Sequence, residues 1–289
     1  MPRARRAVAL YLNPLKPSVR AILPKVLRFL RDSGVEPLGL DTQVADFPSE
    51  VRCLPAAQLA RRALFALVMG GDGTFLSAAR AFCRTRLPLA GMRLGHTGFL
   101  TLIESHGFQG PLREALAGKC IVESRSMVEA HVVGAGGRIV ARGTALNDIT
   151  LKQADMVKVV RLKLVLDGER LGDFTADGLV VATPTGATAY SLSAGGPVVI
   201  PGASILLATL LCPHTLSSRP IAFSPRQTLE IRVAQGARGL RVSLDGQQTL
   251  PMSGNERIAV TGSRLVTRVL RPPGFSYPEL LRTKLGWKS

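Results

Sequence analysis

Residues 70–74 read Gly-Gly-Asp-Gly-Thr, a single carboxylate set among three glycines where an apolar run breaks off. Glycine lets a backbone turn sharply and approach a ligand closely, so the amides of Gly71, Gly73 and Thr74 can form a concave nest for an anion at a helix N-terminus. Phosphate is the usual guest of such a nest, and phosphate repels a carboxylate. Two chemistries reconcile them. Asp72 could accept the proton of a hydroxyl that attacks a phosphoryl group, or it could help to hold Mg²⁺. The plainer alternative is a helix cap or turn residue.

Three further stretches carry candidate chemistry. In LNDITL (146–151), Asn147 and Asp148 interrupt a strand-like run, where polar neighbours are costly unless paired. Vicinal ribose hydroxyls would pair with a carboxamide and a carboxylate, although Asn-Asp is also ordinary turn or bulge chemistry. In DGLVVATPTGATAYSLSAGGP (177–197), Thr188, Tyr190 and Ser193 bring hydroxyls and an aromatic face into one short segment. Tyr190 could stack on a base, or be a buried tyrosine with a satisfied hydroxyl. RLGHTGFLT (93–101) reads as another loop after a strand, with Phe99 either at a site or plugging a core.

The elements that would position these residues fall into two textures. RAVALYL (6–12), 35–40, LFALVM (64–69) and 87–91 read as strands, with helices over 17–34, near 55–63 and from about Thr74. The continuous apolar run at 64–69 fits a strand buried on both faces, and the alternation predicts a parallel sheet flanked by helices. From about residue 121, runs such as VRLKLVLDGERLG alternate apolar and polar residues around Asp-Gly turns. The expected fold is therefore α/β plus mostly β. An N-terminal parallel-sheet domain (1–122, with the tail 268–289 packing back) precedes a β-rich, sandwich-like domain (123–267).

Composition narrows the function classes. The 289 residues are 46% hydrophobic and suit a folded soluble chain. ASILLATLLC (203–212), the longest apolar stretch, is too short for a membrane span. MPRARRAVALYLNP imitates a signal peptide, but a first β-strand fits better, which places the chain in the cytoplasm. The four cysteines and four histidines have no metal-ligand or disulfide spacing. The net charge of +17 would suit an anionic partner, yet the basic residues are dispersed beyond Arg3, Arg5 and Arg6, and 29 of the 37 are arginine. That pattern reads as compositional bias, not as a nucleic-acid patch. No P-loop or protein-kinase motif set occurs. No lysine stands near Asp72, so phosphate charge is expected to meet backbone amides, Mg²⁺ or arginines.

The motifs together resemble the NAD kinases. GGDGT (70–74), LGHTGFLT (94–101), LNDITL (146–151), DGLVVATPTGATAYSLSAGGPV (177–198), CPHTLSSRP (212–220) and TKLGW (283–287) fall in that family's order. Lipid and sphingoid-base kinases share GGDGT but lack the TPTG-x-TAY segment; they are the enzymatic alternative, and a basic nucleic-acid-binding protein is the non-enzymatic one. The resemblance implies Mg²⁺-dependent phosphoryl transfer from ATP, or polyphosphate, to the 2′-hydroxyl of the adenosine ribose of NAD, yielding NADP. It implies Asp72 as the base or hydroxyl-orienting carboxylate, with Gly70, Gly71, Gly73 and Thr74 at the donor phosphates and Mg²⁺ held by the nucleotide. Asn147 and Asp148, together with Asp72 and Gly73, would hold NAD, Thr188, Ala189, Tyr190 and Ser193 would shape the adenine side, Phe99 would line the pocket, and Asp177 would lie towards the nicotinamide. A homodimer or homotetramer is also implied, without nucleic acid or membrane as partner. Two departures from the family's pattern are Arg93, where Asn is common, and Asp148, where Glu is common. Thr175 stands where nicotinamide charge would be tuned.

Overall fold

The computed structural model describes residues 6–95, 98–153, 159–233, 239–253 and 255–287. Arg3, Arg5, His96, Thr97, Ala234 and the start of the strand-like run at 156–158 lie outside the described residues. The chain forms two compact units, Met1–Ser124 with Thr267–Ser289, and Arg125–Val266. No described helix is long and apolar enough to cross a membrane.

In the first unit β1 (Ala7–Leu12), α1 (Pro17–Asp32) and β2 (Glu36–Leu40) lead to β3 (Arg52–Leu54), α2 (Ala56–Arg62) and β4 (Ala63–Gly70). Then follow α3 (Asp72–Phe82), β5 (Leu89–Arg93), β6 (Ile103–Glu104) and α4 (Gln109–Leu116). The strands pair in parallel in the order β3-β2-β1-β4-β5. β4 is buried at every residue from Phe65 to Gly70, as a parallel strand covered on both faces should be. From β1 the chain crosses to one side of the sheet and from β4 to the other. The carboxyl ends of β1 and β4 therefore flank a topological switch point, where open α/β sheets bind ligands.

Helix α3 begins at Asp72, not near Thr74, with Gly71 as its N-cap in extended backbone. Gly73 thus lies inside the first turn. An acidic residue there is favourable, because the first amides of a helix point their N–H groups outward unpaired.

The second unit starts within β7 (Ile121–Val133) and continues through β8 (Ile139–Ala145), β9 (Asp148–Gln153), β10 (Val160–Leu166), β11 (Glu169–Ala176) and β12 (Gly178–Ala182). The short helix α5 (Tyr190–Ser193) precedes β13 (Leu206–Leu211), β14 (Ile221–Phe223), β15 (Leu229–Val233), β16 (Leu240–Leu244), β17 (Gln248–Leu250) and β18 (Arg257–Arg271). One antiparallel sheet runs β14-β13-β12-β9-β16-β17, and β11-β10-β15-β18 form another. Their inward residues, among them Leu151, Leu162, Leu179, Ile231, Val242 and Val260, share one core. In β10 the burial alternates along Val160–Leu164, as the apolar–polar pattern of that stretch predicts.

The end of β18 returns to the first unit, where Val269 pairs with Leu89 of β5. α6 (Tyr277–Leu285) then buries Tyr277 and Leu281. Its first turn is closed by the Ser276 hydroxyl, which accepts from Glu279 N at 3.3 Å. Replacing Ser276 by Ala should cost about 1 kcal/mol, as for other N-cap serines. Amide exchange should rise over 277–285 and stay unchanged in β1 and β4; uniform exchange changes would contradict this local role.

Candidate active site

In the first unit residues 99–101 fold over the Asp72 carboxylate. Oδ2 accepts from Phe99 N at 2.6 Å; Oδ1 accepts from Leu100 N (3.1 Å), Thr101 N (3.2 Å) and the Thr101 hydroxyl (3.2 Å). A Cβ on residue 98 would overlap this carboxylate, so only Gly98 lets the loop approach so closely. Asp72 is thus not a helix cap, and its half-buried carboxylate is bound by residues 99–101. Among the described residues Oδ2 accepts a single bond, and a carboxylate oxygen can accept two.

The other loops at this sheet edge are tied to the same place. Asn13 N donates to Met69 O at 3.1 Å, Asn13 Nδ2 to the Thr74 hydroxyl at 3.4 Å, and Leu94 N to Gly70 O at 3.0 Å. Lys16 Nζ donates to Leu94 O at 3.3 Å and stands 3.5 Å from where a Cβ of Gly71 would project. A lysine therefore does neighbour the glycine loop, contrary to the expectation from sequence: β1 and β4 are adjacent in the sheet but far apart in the chain. Arg93 points elsewhere, into an ion pair with Glu104, its partner in the β5–β6 register. The Phe99 ring lies 6.4 Å from that of Tyr277, with Lys284 Nζ 5.7 Å from its centroid.

In the second unit Asn147 and Asp148 stand where β8 gives way to β9, and a third residue organises them. Asp245 accepts from Asn147 N (2.7 Å) and Asp148 N (3.3 Å) through Oδ1 and from Leu146 N (3.2 Å) through Oδ2. It does so from a left-handed turn, φ 51°. The TPTG turn packs on the other side: Thr183 N donates to Asn147 O at 2.8 Å and the Thr183 hydroxyl to Leu146 O at 2.6 Å. Gly186 lies directly against Asn147, where any Cβ would strike the Asn147 carbonyl.

Asn147 Oδ1 is buried with no hydrogen-bond partner among the described residues. Asp148 is 5% exposed. Burial, and then the neighbouring Asp245 carboxylate, raise its pKa to about 6 against the opposing effect of the Thr150 hydroxyl. Tyr190 is 42% exposed, so the buried-tyrosine alternative fails. The buried hydroxyl of that segment is Ser191, bonded to Thr209 at 3.0 Å. Thr188 and Ala189 are half-buried and Ser193 is exposed. Asp177 is not beside Asp148. It precedes Gly178, whereas Asp148 pairs with Ala182 at the other end of β12, a strand length of about 13 Å away. Its carboxylate bonds the Cys212 thiol and raises that thiol's pKa. Thr175 is half-buried, with its carbonyl accepting from His214 N at 2.9 Å.

Two family descriptions match this chain: the ATP-NAD kinase N-terminal domain over residues 43–120 and the ATP-NAD kinase C-terminal domain over 146–271. An NAD kinase of Desulforamulus reducens is 33% identical over 278 residues, 96% of each chain. One of Aromatoleum aromaticum is 35% identical over 293 residues, covering 98% of this chain and 95% of that one. The chain belongs to the NAD kinase family. In fold it is similar to yeast NADH kinase solved with NADH, with a TM-score of 0.88 at 25% identity over 100% of this chain and 89% of that one. An Archaeoglobus fulgidus NAD kinase solved with ATP gives a TM-score of 0.74 at 23% identity, covering 97% of each chain.

Within this NAD kinase family member, sequence reasoning missed Lys16 and Asp245. Only the Asp-Gly pair at 245–246 hinted at the latter, and it signalled a turn. Two outcomes follow from the second unit. Gly186→Ala should destabilise the fold by about 1–3 kcal/mol through overpacking, read as a lower urea midpoint. Asp148 titrates higher in the folded chain than in the unfolded one, where a value near 3.8 applies. The folded state then holds the extra proton between these values, so this group's contribution to stability falls as pH rises from about 4 to 6 and is level above. Urea midpoints of wild type and Asp148→Asn should therefore shift in the variant's favour across that window; parallel curves would contradict the titration.

Proposed function

We propose that this chain transfers the terminal phosphoryl group of ATP to the 2′-hydroxyl of the adenosine ribose of NAD, forming NADP. The observation that carries this reading is the Asp72 carboxylate, fixed in the first turn of α3 by the 99–101 amides and keeping acceptor capacity on Oδ2. A ribose hydroxyl is a weak nucleophile whose proton must leave as the bond to phosphorus forms. A fixed carboxylate orients that hydroxyl and receives its proton, a contribution of about 10²–10⁴-fold. Gly70, Gly71, Gly73 and Thr74 would offer backbone amides to the donor phosphates.

Asn147 and Asp148 would hold the adenosine through its hydroxyls and base. The unpartnered Asn147 Oδ1 supports this, being a buried acceptor that requires a donor. Tyr190 would present its exposed ring to the adenine, beside Thr188, Ala189 and Ser193. Phe99 would line the pocket. Asp177 would serve the nicotinamide end, and the length of β12 between it and Asp148 suits an extended dinucleotide. The resemblance extends to a cytoplasmic homodimer or homotetramer.

Mg²⁺ fits this chain as a companion of the nucleotide. No group of three or more His, Cys, Asp or Glu side chains among the described residues could hold a metal. Asp72, committed to four donors, offers at most one ligand. When bound to the donor phosphates, the ion would neutralise their oxygens. The chain's own part is alignment and proton acceptance.

With ATP and Mg²⁺, NAD should yield NADP, whereas diacylglycerol should not be phosphorylated; the reverse result would favour the lipid-kinase alternative. NADH and polyphosphate as further arms set acceptor and donor preference. Asp72→Asn should lower kcat by about 10²-fold or more while leaving the Kd for NAD within a few-fold. A folded variant with near-wild-type turnover would sink the assignment.

A further inference from the structure

We infer that Lys16 is the cation that binds the polyphosphate of the donor nucleotide. This inference rests on the kinase reading above. Lys16 occupies the N-cap of α1, a place that favours Ser, Thr, Asp or Asn, and its side chain makes no cap hydrogen bond. A positive charge there opposes the helix dipole, and the first turn of α1 holds no acidic residue to offset it. The side chain instead reaches across to β4 and β5. Its ammonium donates to one neutral carbonyl, Leu94 O, and stands beside Gly71, the N-cap of α3. Among the described residues it has no ion pair, in contrast to Arg93, which Glu104 neutralises.

Three sources of positive potential therefore meet at one sheet edge: the N-termini of α1 and α3, and the ammonium. Asp72, next to Gly71 in the chain, has its carboxylate turned to residues 99–101, which donate four hydrogen bonds to it. The place lies between the carboxyl ends of β1 and β4, at the switch point of the sheet. A diphosphate or triphosphate satisfies that potential: its oxygens can take the two remaining ammonium protons and the α3 amides together. Both ATP and NAD contain linked phosphates. Because Lys16 borders the glycine loop assigned to the donor, its partner is ATP.

Three variants test this. Lys16→Gln keeps a donor for Leu94 O and removes the charge, Lys16→Ala removes both, and Lys16→Arg keeps the charge. Lys16→Gln and Lys16→Ala should raise KM for ATP by about tenfold or more, the loss expected for a charge-assisted contact. KM for NAD and the thermal midpoint should stay unchanged, and Lys16→Arg should recover most of the affinity. Calorimetric binding of inorganic tripolyphosphate to wild type and Lys16→Gln should show the same loss without turnover. Three results overturn the inference: an unchanged ATP KM in Lys16→Gln, a selective rise in KM for NAD, or an Ala defect in stability and both KM values that Gln repairs. If the wild type fails to phosphorylate NAD, the kinase reading falls, and tripolyphosphate binding still decides the role of Lys16.

Discussion

Three backbone N–H groups and one hydroxyl from residues 99–101 converge on the carboxylate of Asp72. Hydrogen bonds to a charged group contribute about 1.5–3 kcal/mol each, so this cluster fixes residues 99–101, which belong to no helix or strand. It welds the segment after β5 onto the first turn of α3 and permits only glycine at 98. It also sets the place of the Phe99 ring, against which α6 brings Tyr277 and Lys284. One side chain thus positions residues 99–101, the ring and the helix packed on it.

The second unit repeats the device with different residues. Asp245 gathers the amides of Leu146, Asn147 and Asp148 from a turn with φ of 51°. Its carboxylate touches backbone, which leaves the side chains of Asn147 and Asp148 for other work. Burial, and then the neighbouring Asp245 carboxylate, raise the Asp148 pKa to about 6. In both units, therefore, an aspartate spends its acceptors on amides to shape a loop. In the proposed reaction Asp72 would combine that task with proton acceptance.

Much of this was legible in the sequence where the signal is local. The buried run at 64–69 announced a parallel strand, the alternation in VRLKLVL announced β10, and GGDGT announced a strand-to-helix loop. The sequence alone puts the start of α3 too late, because three glycines read as loop, whereas the helix tolerates Gly73 in its first turn. What stayed illegible were relations between distant parts of the chain. Lys16 finds Leu94 78 positions away, and Asp245 finds Asn147 98 positions away. Such contacts follow from strand order, which periodicity does not reveal. Arg93 shows the converse: it departs from the family's pattern, yet the β5–β6 register gives it a partner in Glu104.

The return of the chain to its first unit carries a consequence for how the molecule is made. β5 pairs at Leu89 with Val269, and Phe99 packs beside Tyr277. Residues 267–287 leave the ribosome only after the whole of 125–266 has been synthesised. The first unit therefore waits, with one edge of β5 and one face of Phe99 uncovered, while its neighbour is translated and folds. Long-range closure of this kind is slow and leaves apolar surface exposed in the interval. The loop that holds Asp72 is among the last parts of the molecule to receive its cover.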